Sequence, residues 1–474
     1  LPVIFLLPEQ YEEAEIIMKL KYEIKDKPKG INLISLALQQ MLAILAATTT
    51  VPMVVGNGMT PAAAMFGAGA GTIVYLLMTR RASPMFLGSS FSFLGSMAAA
   101  FAGGVSMSLG MLGVIIGAAA AGLVYVILAL IIRLCGVKWI DKLMPPVVIG
   151  PTVAVIGLSL ASTAVGDLRS GNVSVTGADG TSVILASPHI AILCGLVTLA
   201  VTVFCSVYCK GLTRLIPFLI GILSGYAFAA VLTFIGNATE IDALKIIDFG
   251  VFTRMMLPDG TVSLSTFISV PEFSFIKAIN GVSELNASYI ITVITAYVPV
   301  SFVGFAEHIA DHKNLSSIVN KDLLTDPGLE KTLLGDGLGS ITGAFFGGCP
   351  NATYGESIAC VALTGNASTV TIFAAATGCI LMSFLTPFVA FVSSIPNCVM
   401  GGLCVALYGF IAISGLKMIQ RLDFDDNRNI FVIAIILITG IGGLSVNFGS
   451  VTVTEVATAL ILGILTNLLI SKSR

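Results

Sequence analysis

The sequence predicts an all-α polytopic membrane protein whose fourteen transmembrane segments form two inverted halves of seven. Three observations predict it. First, 56% of the 474 residues are hydrophobic and only 11% charged, with a mean hydropathy of +0.98. A soluble chain is about 25% charged, and one this apolar has too little polar surface to face water, whereas lipid-facing side chains can be as apolar as core ones. Second, apolar segments recur almost without pause. Third, the basic residues gather on one side of them. The 49 glycines fit close packing of helices in a bilayer.

The first seven segments run over residues 34–55, 60–78, 85–102, 106–134, 143–165, 188–208 and 215–235. The second seven run over 287–309, 332–346, 352–363, 367–392, 398–413, 430–441 and 451–470. A straight crossing needs roughly 20 residues, and several segments fall short of that. With a cytoplasmic N-terminus, only Arg169, Lys245, Arg254 and Lys277 lie outside, and the other 20 of 24 Lys and Arg lie inside or at inner helix ends. This is the positive-inside asymmetry; an odd segment count spoils it, so both termini are expected in the cytoplasm of a multi-pass cell-membrane protein. The longest external stretches, 166–187 and 236–286, are polar, with strand-like runs such as 172–177.

The net charge of −2 and the absence of a basic domain give no sign of a nucleic-acid partner. The nine Cys contain no Cys-x-x-Cys pair and nearly all fall in apolar runs, so they read as small buried hydrophobes without a disulfide framework. His189, His308 and His312 form no zinc pattern, and no cofactor or metal is expected. Residues 1–7 lack the basic flank of a signal peptide, and Met18 opens a plausible cytoplasmic start, so residues 1–17 are read as an upstream extension. The six Asn-x-Ser/Thr sequons are read as chance.

An internal repeat supports the two halves. LMPPVVIG (143–150) resembles SIPNCVMG (394–401), 251 residues on, and the same offset carries the start of the first segment to the start of the eighth. Seven crossings are odd, so the second half enters from the opposite side, the inverted repeat of secondary transporters. The third segment of each half, SPMFLGSSFSFLGS (83–96) and FFGGCPNATYGES (345–357), is rich in Gly and Ser/Thr and interrupted by Pro or Gly. Paired interruptions of this kind predict discontinuous helices whose free N–H groups line a cavity.

Two carboxylates fall where charge is costly. Glu307 lies well inside the eighth segment and Glu356 just after the break in the tenth. A carboxylate at mid-membrane costs about 2.5–3.5 kcal/mol or more and normally faces a cavity or a partner. Few basic residues share that depth, which favours a ligand or proton role over a buried salt bridge. A carboxylate can accept from adjacent N–H donors, which suits a neutral heterocycle, and it can carry a proton. Asp311 follows Glu307 by four residues on the same helix face and reads as a second coupling group or a residue at the inner mouth. His308 points about 100° away and reads as an interhelical polar contact or a ligand. Asp336, near the start of the ninth segment, reads as a functional partner or a helix-entry residue. Gln39 or Gln40 faces the site or bonds between helices. Phe91 and Tyr354 flank the two breaks, where aromatic faces either pack or sandwich a flat ring. Ser90, Asn351 and Thr353 are supporting polar groups at the same breaks.

PNATYGESIACVALTG (350–365) looks like the signature of the nucleobase–ascorbate transporter family, also called nucleobase:cation symporter-2. AEHIADHKNLSSIVNKDLLTDPGL (306–329), LGSSFSF (87–93) and LALQQMLAILAATTTVP (36–52) resemble its bacterial uracil permease branch. The resemblance runs from Lys29 to the C-terminus. It implies proton-coupled uptake of a nucleobase, uracil favoured, by an elevator-like motion of a core domain against a gate domain, in a homodimer. The coupling ion is a proton, with sodium as the alternative. The core would comprise 31–135 and 287–393, and the gate 136–240 and 394–474. A cytoplasmic tail (1–30) and an extracellular loop (241–286) complete the chain, and short antiparallel strands occur in segments 3 and 10. Glu307 and Glu356 would hold the edge of the base, the backbone N–H groups of Phe91 and Gly355 would donate to its carbonyls, and Ala47 and Tyr354 would pack on the ring.

This chain departs from the branch in three places. Asp311 stands where uracil carriers have His, Gln39-Gln40 where they have Gln-His, and Thr364-Gly365 where they have Thr followed by a basic residue. Purine carriers often have Asp at the first of these positions, which makes a xanthine or urate symporter the alternative. Two buried acids disfavour an anion carrier of related architecture. The inverted repeat disfavours a channel, and no nucleophile–base pair or metal cluster suggests an enzyme.

Overall fold

The computed structural model describes residues 20–136, 145–176, 182–253, 255–256, 261–420, 422–448 and 451–471. The upstream extension at 1–17, the start of the fifth segment at Leu143 and the external Arg254 lie outside the described residues. The protein is predominantly helical, with three pairs of short antiparallel strands among the described residues. Among the described residues, eight helices are long and apolar enough to cross a membrane. Their outward faces are apolar, with Leu130, Phe204, Phe234 and Ile438 all more than half exposed, as lipid contact requires.

Helix α1 spans Ile31–Val55 and α2 spans Pro61–Met78. Pro61 occupies the first turn of α2, where its missing N–H costs nothing, and the Thr60 side chain accepts from the Ala63 N–H to cap it. The third segment is not a continuous helix. It opens as strand β1 (Leu87–Ser89) and turns into the short helix α3 (Leu94–Ala100). The helix α4 (Met107–Cys135) follows, capped by Ser106. The next segment is split at Leu160 into α5 (Pro146–Ser159) and α6 (Ala161–Asp167). A hairpin of β2 (Ser174–Thr176) and β3 (Ser182–Ile184) leads to α7 (Pro188–Tyr208), a single turn α8 (Leu212–Leu215) and α9 (Pro217–Thr239). Among its described residues the 241–286 stretch carries three short α-helices, α10 (Gly250–Thr253), α11 (Leu264–Phe267) and α12 (Ser274–Ala278), flanked by 3-10 turns at Asp242–Leu244 and Ile279–Glu284.

The eighth predicted segment runs ten residues beyond its expected end, as α13 (Ala287–Val319). Its polar C-terminal turns can stay helical because their side chains find partners inside the protein. Helix α14 (Leu329–Gly347) leads to strand β4 (Asn351–Thr353) and the short helix α15 (Gly355–Thr364). The eleventh segment, expected as one span over 367–392, breaks into α16 (Thr369–Met382) and α17 (Thr386–Ser394). Pro387 has no N–H to donate to the carbonyl four residues back, at Ser383, and its ring crowds that carbonyl, so one helix cannot run through it; the 241–286 stretch takes up a carbonyl at the break, where Ser269 donates its N–H to Phe384 O at 2.9 Å. Helix α18 extends to Asn397–Ile419, followed by α19 (Asn427–Ile441), the hairpin β5 (Val446–Phe448) and β6 (Val451–Val453), and α20 (Glu455–Ser471).

The helices pack in two groups. Helix α14 packs on α2 and α4, α4 on α13, and α16 on α1 and α2. In the other group, α18 packs on α5 and α7, α9 on α7, and α19 on α5 and α20. Glycine allows the closest approach: a Cβ at Gly71 would sit 2.6 Å from Gly339 O, so α2 and α14 meet backbone to backbone. Strands β1 and β4 pair antiparallel within the first group, with Leu87 opposite Thr353 and Ser89 opposite Asn351.

Candidate binding site at the crossed strands

Each broken segment brings an exposed backbone end to the middle of the molecule, and the remaining polar groups there must be satisfied. Thr72 does this on one side: its hydroxyl donates to Leu87 O at 3.1 Å and accepts from the Leu87 N–H at 3.0 Å. The Ser357 hydroxyl accepts from Phe86 N–H at 3.1 Å and from Gln40 Nε2 at 2.6 Å. Asn351 donates to Gly67 O and Gly339 O, at 3.0 and 3.3 Å, and so ties β4 to α2 and α14. Gly88 leaves room for the Tyr354 ring, which would lie 2.3 Å from an added Cβ, and the Tyr354 hydroxyl donates to Ser89 O at 2.7 Å.

In front of these strands lies a cavity of about 400 Å³, between the two helix groups. One wall comes from the strand ends and α13. It carries Ser90, Phe91, Ser92, Thr353, Tyr354, Gly355 and three half-buried carboxylates, Glu307, Asp311 and Glu356. The Ser92 hydroxyl donates to Glu307 Oε2 at 2.9 Å, and Thr353 donates to Asp311 Oδ2 at 2.6 Å. Helix α15 starts at Gly355, so its first N–H groups have no partner within the helix. A Cβ at Gly355 would meet nothing within 4 Å, so this end faces open space. The opposite wall is mostly apolar: Ile149 and Val153 of α5, Pro217 and Phe218 of α9, and Leu407, Phe410, Ile411 and Met418 of α18, with Ser206 and Ser414 as its polar members. Phe91 and Tyr408 meet edge to face across the groups, with centroids 6.1 Å apart.

The wall thus brings together eight of the residues singled out in the sequence: Glu307, Glu356, Asp311, Phe91, Tyr354, Gly355, Ser90 and Thr353. Others lie elsewhere. Ala47 is 1% exposed, sealed in the apolar cluster that contains Tyr354, and does not line the cavity. Gln39 bonds to Ser35 of its own helix at 3.2 Å, and Gln40 is buried against Ser357. Asn351 is in β4 itself, with its side chain turned to Gly67 and Gly339 rather than lining the cavity. His308 and Asp336 pair with each other, Nδ1 to Oδ2 at 2.8 Å, at 0% and 1% exposure, and His308 Nε2 meets Thr332 Oγ1 at 3.0 Å. The His308 ring stacks on His312, with centroids 4.1 Å apart, and His312 Nε2 lies 2.8 Å from the Tyr75 hydroxyl. This network joins α13 to α14 and α2 away from the cavity. Among the described residues, no cluster of His, Cys, Asp or Glu is placed to hold a metal ion.

Sequence reasoning missed Ser92, although it lies in the interrupted run 83–96. It also missed the whole opposite wall, whose apolar residues look like any others in an apolar segment.

Residues 31–448 match the Permease family. The chain belongs to this family, the nucleobase:cation symporter-2 permeases. Membership makes it an integral membrane transporter and not an enzyme. As a symporter-2 permease it is 35% identical over 460 residues to the uracil permease of Bacillus subtilis (strain 168), covering 96% of each chain. It is 36% identical over 452 residues to that of Bacillus caldolyticus, covering 94% of each, and 32% identical over 443 residues to that of Escherichia coli (strain K12). The permease fold is also that of the transmembrane domain of the cyanobacterial bicarbonate transporter BicA, with a TM-score of 0.55 at 15% identity over 93% of this chain and 98% of the other. It matches the murine Solute Carrier 26 family member A9 anion transporter in its inward-facing state with a TM-score of 0.61 at 11% identity, over 94% and 69% of the two chains. At these identities the likeness concerns fold alone.

Proposed function

We propose that this permease is a secondary active transporter that takes up a nucleobase, uracil in the first instance, coupled to protons across the cytoplasmic membrane. The observation that carries the reading is the meeting of Glu307, Glu356 and the N-terminal N–H groups of α15 on one wall of a single cavity. Uracil presents alternating N–H donors and carbonyl acceptors along its edge. Carboxylates accept from the N–H groups, and free backbone N–H groups donate to the carbonyls. Phe91 and Tyr354 supply apolar surface beside that edge. Full-length relatives named as uracil permeases support the same substrate.

In this reading the chain crosses the membrane fourteen times as two inverted repeats, with both ends cytoplasmic. The core comprises 31–135 and 287–393, and the gate 136–240 and 394–474. The cavity lies at their contact, and sliding of core past gate carries the base across, in a homodimer. Asp311 or Glu307 takes the proton.

Asp311 favours a second reading, a xanthine or urate symporter. It adds a third carboxylate to the wall, and the nine-atom purine frame of those bases offers N–H groups beyond the pyrimidine edge. Competition decides between them. Binding of radiolabelled uracil to the purified protein, challenged with unlabelled xanthine, urate and adenine, is expected to be displaced by uracil alone. Displacement by xanthine or urate at lower concentration moves the protein to the purine side.

A further inference from the structure

A second cavity of about 120 Å³ opens beside the first, and Glu356, Ala359, Pro217 and Phe218 line both. Its remaining wall includes Arg214. Among the described residues lining the two cavities, Arg214 is the one base; those of the large cavity include three carboxylates and no Lys, Arg or His. Arg214 lies on the single turn α8, which packs against α1 and α15, the helix that bears Glu356. Ile216, two residues on, packs on Ala43 and Cys360 and fixes this turn against them. The Arg214 side chain is exposed, and among the described residues no carboxylate lies within 4 Å of its guanidinium. Arg214 and Glu356 therefore line one small cavity, and among the described residues neither has an ion-pair partner.

We propose that Arg214 is a release residue: when the carried base leaves Glu356, the Arg214 guanidinium takes its place on that carboxylate, and so competes with the base for it. The inference rests on the reading of Glu356 as a substrate-binding residue. An ionised carboxylate at this depth is costly without a partner. While the base is bound, its N–H groups serve Glu356. Once it departs, the guanidinium can satisfy both carboxylate oxygens in a fork. The pair is a rearrangement from the arrangement in the structure, in which the exposed Arg214 side chain swings onto Glu356; it excludes the base from that carboxylate, so it weakens retention of the base and hastens its departure past α8. Arg214 itself does not touch the base.

Two measurements test this on the purified full chain. In the first, Arg214→Gln binds radiolabelled uracil about threefold more tightly than wild type by equilibrium dialysis. Its initial uptake rate in proteoliposomes falls, and Arg214→Lys stays closer to wild type in both. A merely structural role would not tighten binding while slowing uptake, and unchanged or weakened binding overturns the proposal. The second uses no substrate. Arg214→Gln lowers the melting temperature of the empty protein by about 1 °C or more and has no such effect in a Glu356→Gln background. Equal shifts in the two backgrounds, or none in either, overturn the proposal. Failure of wild type to bind uracil or any other base counts against the nucleobase reading, whereas the melting cycle bears on Arg214 alone.

Discussion

The Thr353 hydroxyl donates to the Asp311 carboxylate across 2.6 Å, joining strand β4 to helix α13 at the rim of the cavity. The bond fixes Asp311 in the wall that Glu307 and Glu356 share, one helical turn from Glu307. A group held there can exchange a proton with the cavity without being the group that grips the base. Asp311→Asn keeps the size of the side chain and its bond to Thr353 but removes the titratable proton. Uracil binding to Asp311→Asn is expected within about threefold of wild type, with accumulation driven by a proton gradient strongly reduced. Normal gradient-driven accumulation would return Asp311 to a structural role.

Glu307 is the residue through which loss of binding should be largest. In Glu307→Gln one acceptor becomes a donor, so an N–H of the base faces an N–H of the protein. An unsatisfied donor costs about 1–3 kcal/mol, more beside a charged group, so binding should weaken at least tenfold in equilibrium dialysis. Ser92→Ala removes only the hydroxyl that orients the carboxylate, at 2.9 Å. It should weaken binding less, by roughly threefold to tenfold. Equal affinities of Glu307→Gln and wild type would remove Glu307 from the site.

The His308–Asp336 pair is buried at 0% and 1% exposure. Removing one partner leaves the other as a buried polar or charged group. His308→Ala should therefore destabilise the protein by about 3–5 kcal/mol, seen as a large fall in melting temperature and in yield. A variant that melts like wild type but has lost uptake would assign the pair to transport rather than to packing.

Gly88 and Tyr354 share one volume. A methyl group at position 88 would come within 2.3–2.4 Å of the ring, so Gly88→Ala must displace Tyr354 or part the strands. Loss of uracil binding and a lower melting temperature are expected together. Tyr354→Phe, which keeps the ring and loses only the bond to Ser89 O, should cost about 1 kcal/mol of stability. Wild-type behaviour of Gly88→Ala would contradict the tight packing of the two broken segments.

The features legible in the sequence were those with a local chemical cost. Charge in an apolar run marked Glu307 and Glu356, the four-residue spacing put Asp311 on the face of Glu307, and Pro and Gly marked both breaks. The pairing of β1 with β4 was expected from family resemblance. What stayed hidden depends on distant partners. Nothing local shows that Asn351 turns back onto Gly67 and Gly339, or that His308 finds Asp336 on the next helix. The break at 383–385 was missed although Pro387 marks it, because the apolar residues on both sides read as one span, and its freed backbone is taken up by residues more than a hundred positions away. The apolar cavity wall from Ile149 to Met418 carries no signal at all, since the same residues would serve equally well against lipid.

The central claim is that one cavity, with Glu307 and Glu356 on its wall, carries a nucleobase with protons. Its most direct measurement is uptake of radiolabelled uracil into liposomes reconstituted with the purified protein, with and without an inward proton gradient. Uptake that the gradient accelerates, and that Glu307→Gln and Glu356→Gln each abolish, is the predicted result. Uptake that persists in both variants, or no gradient-driven uptake of uracil, xanthine or urate by wild type, would contradict it.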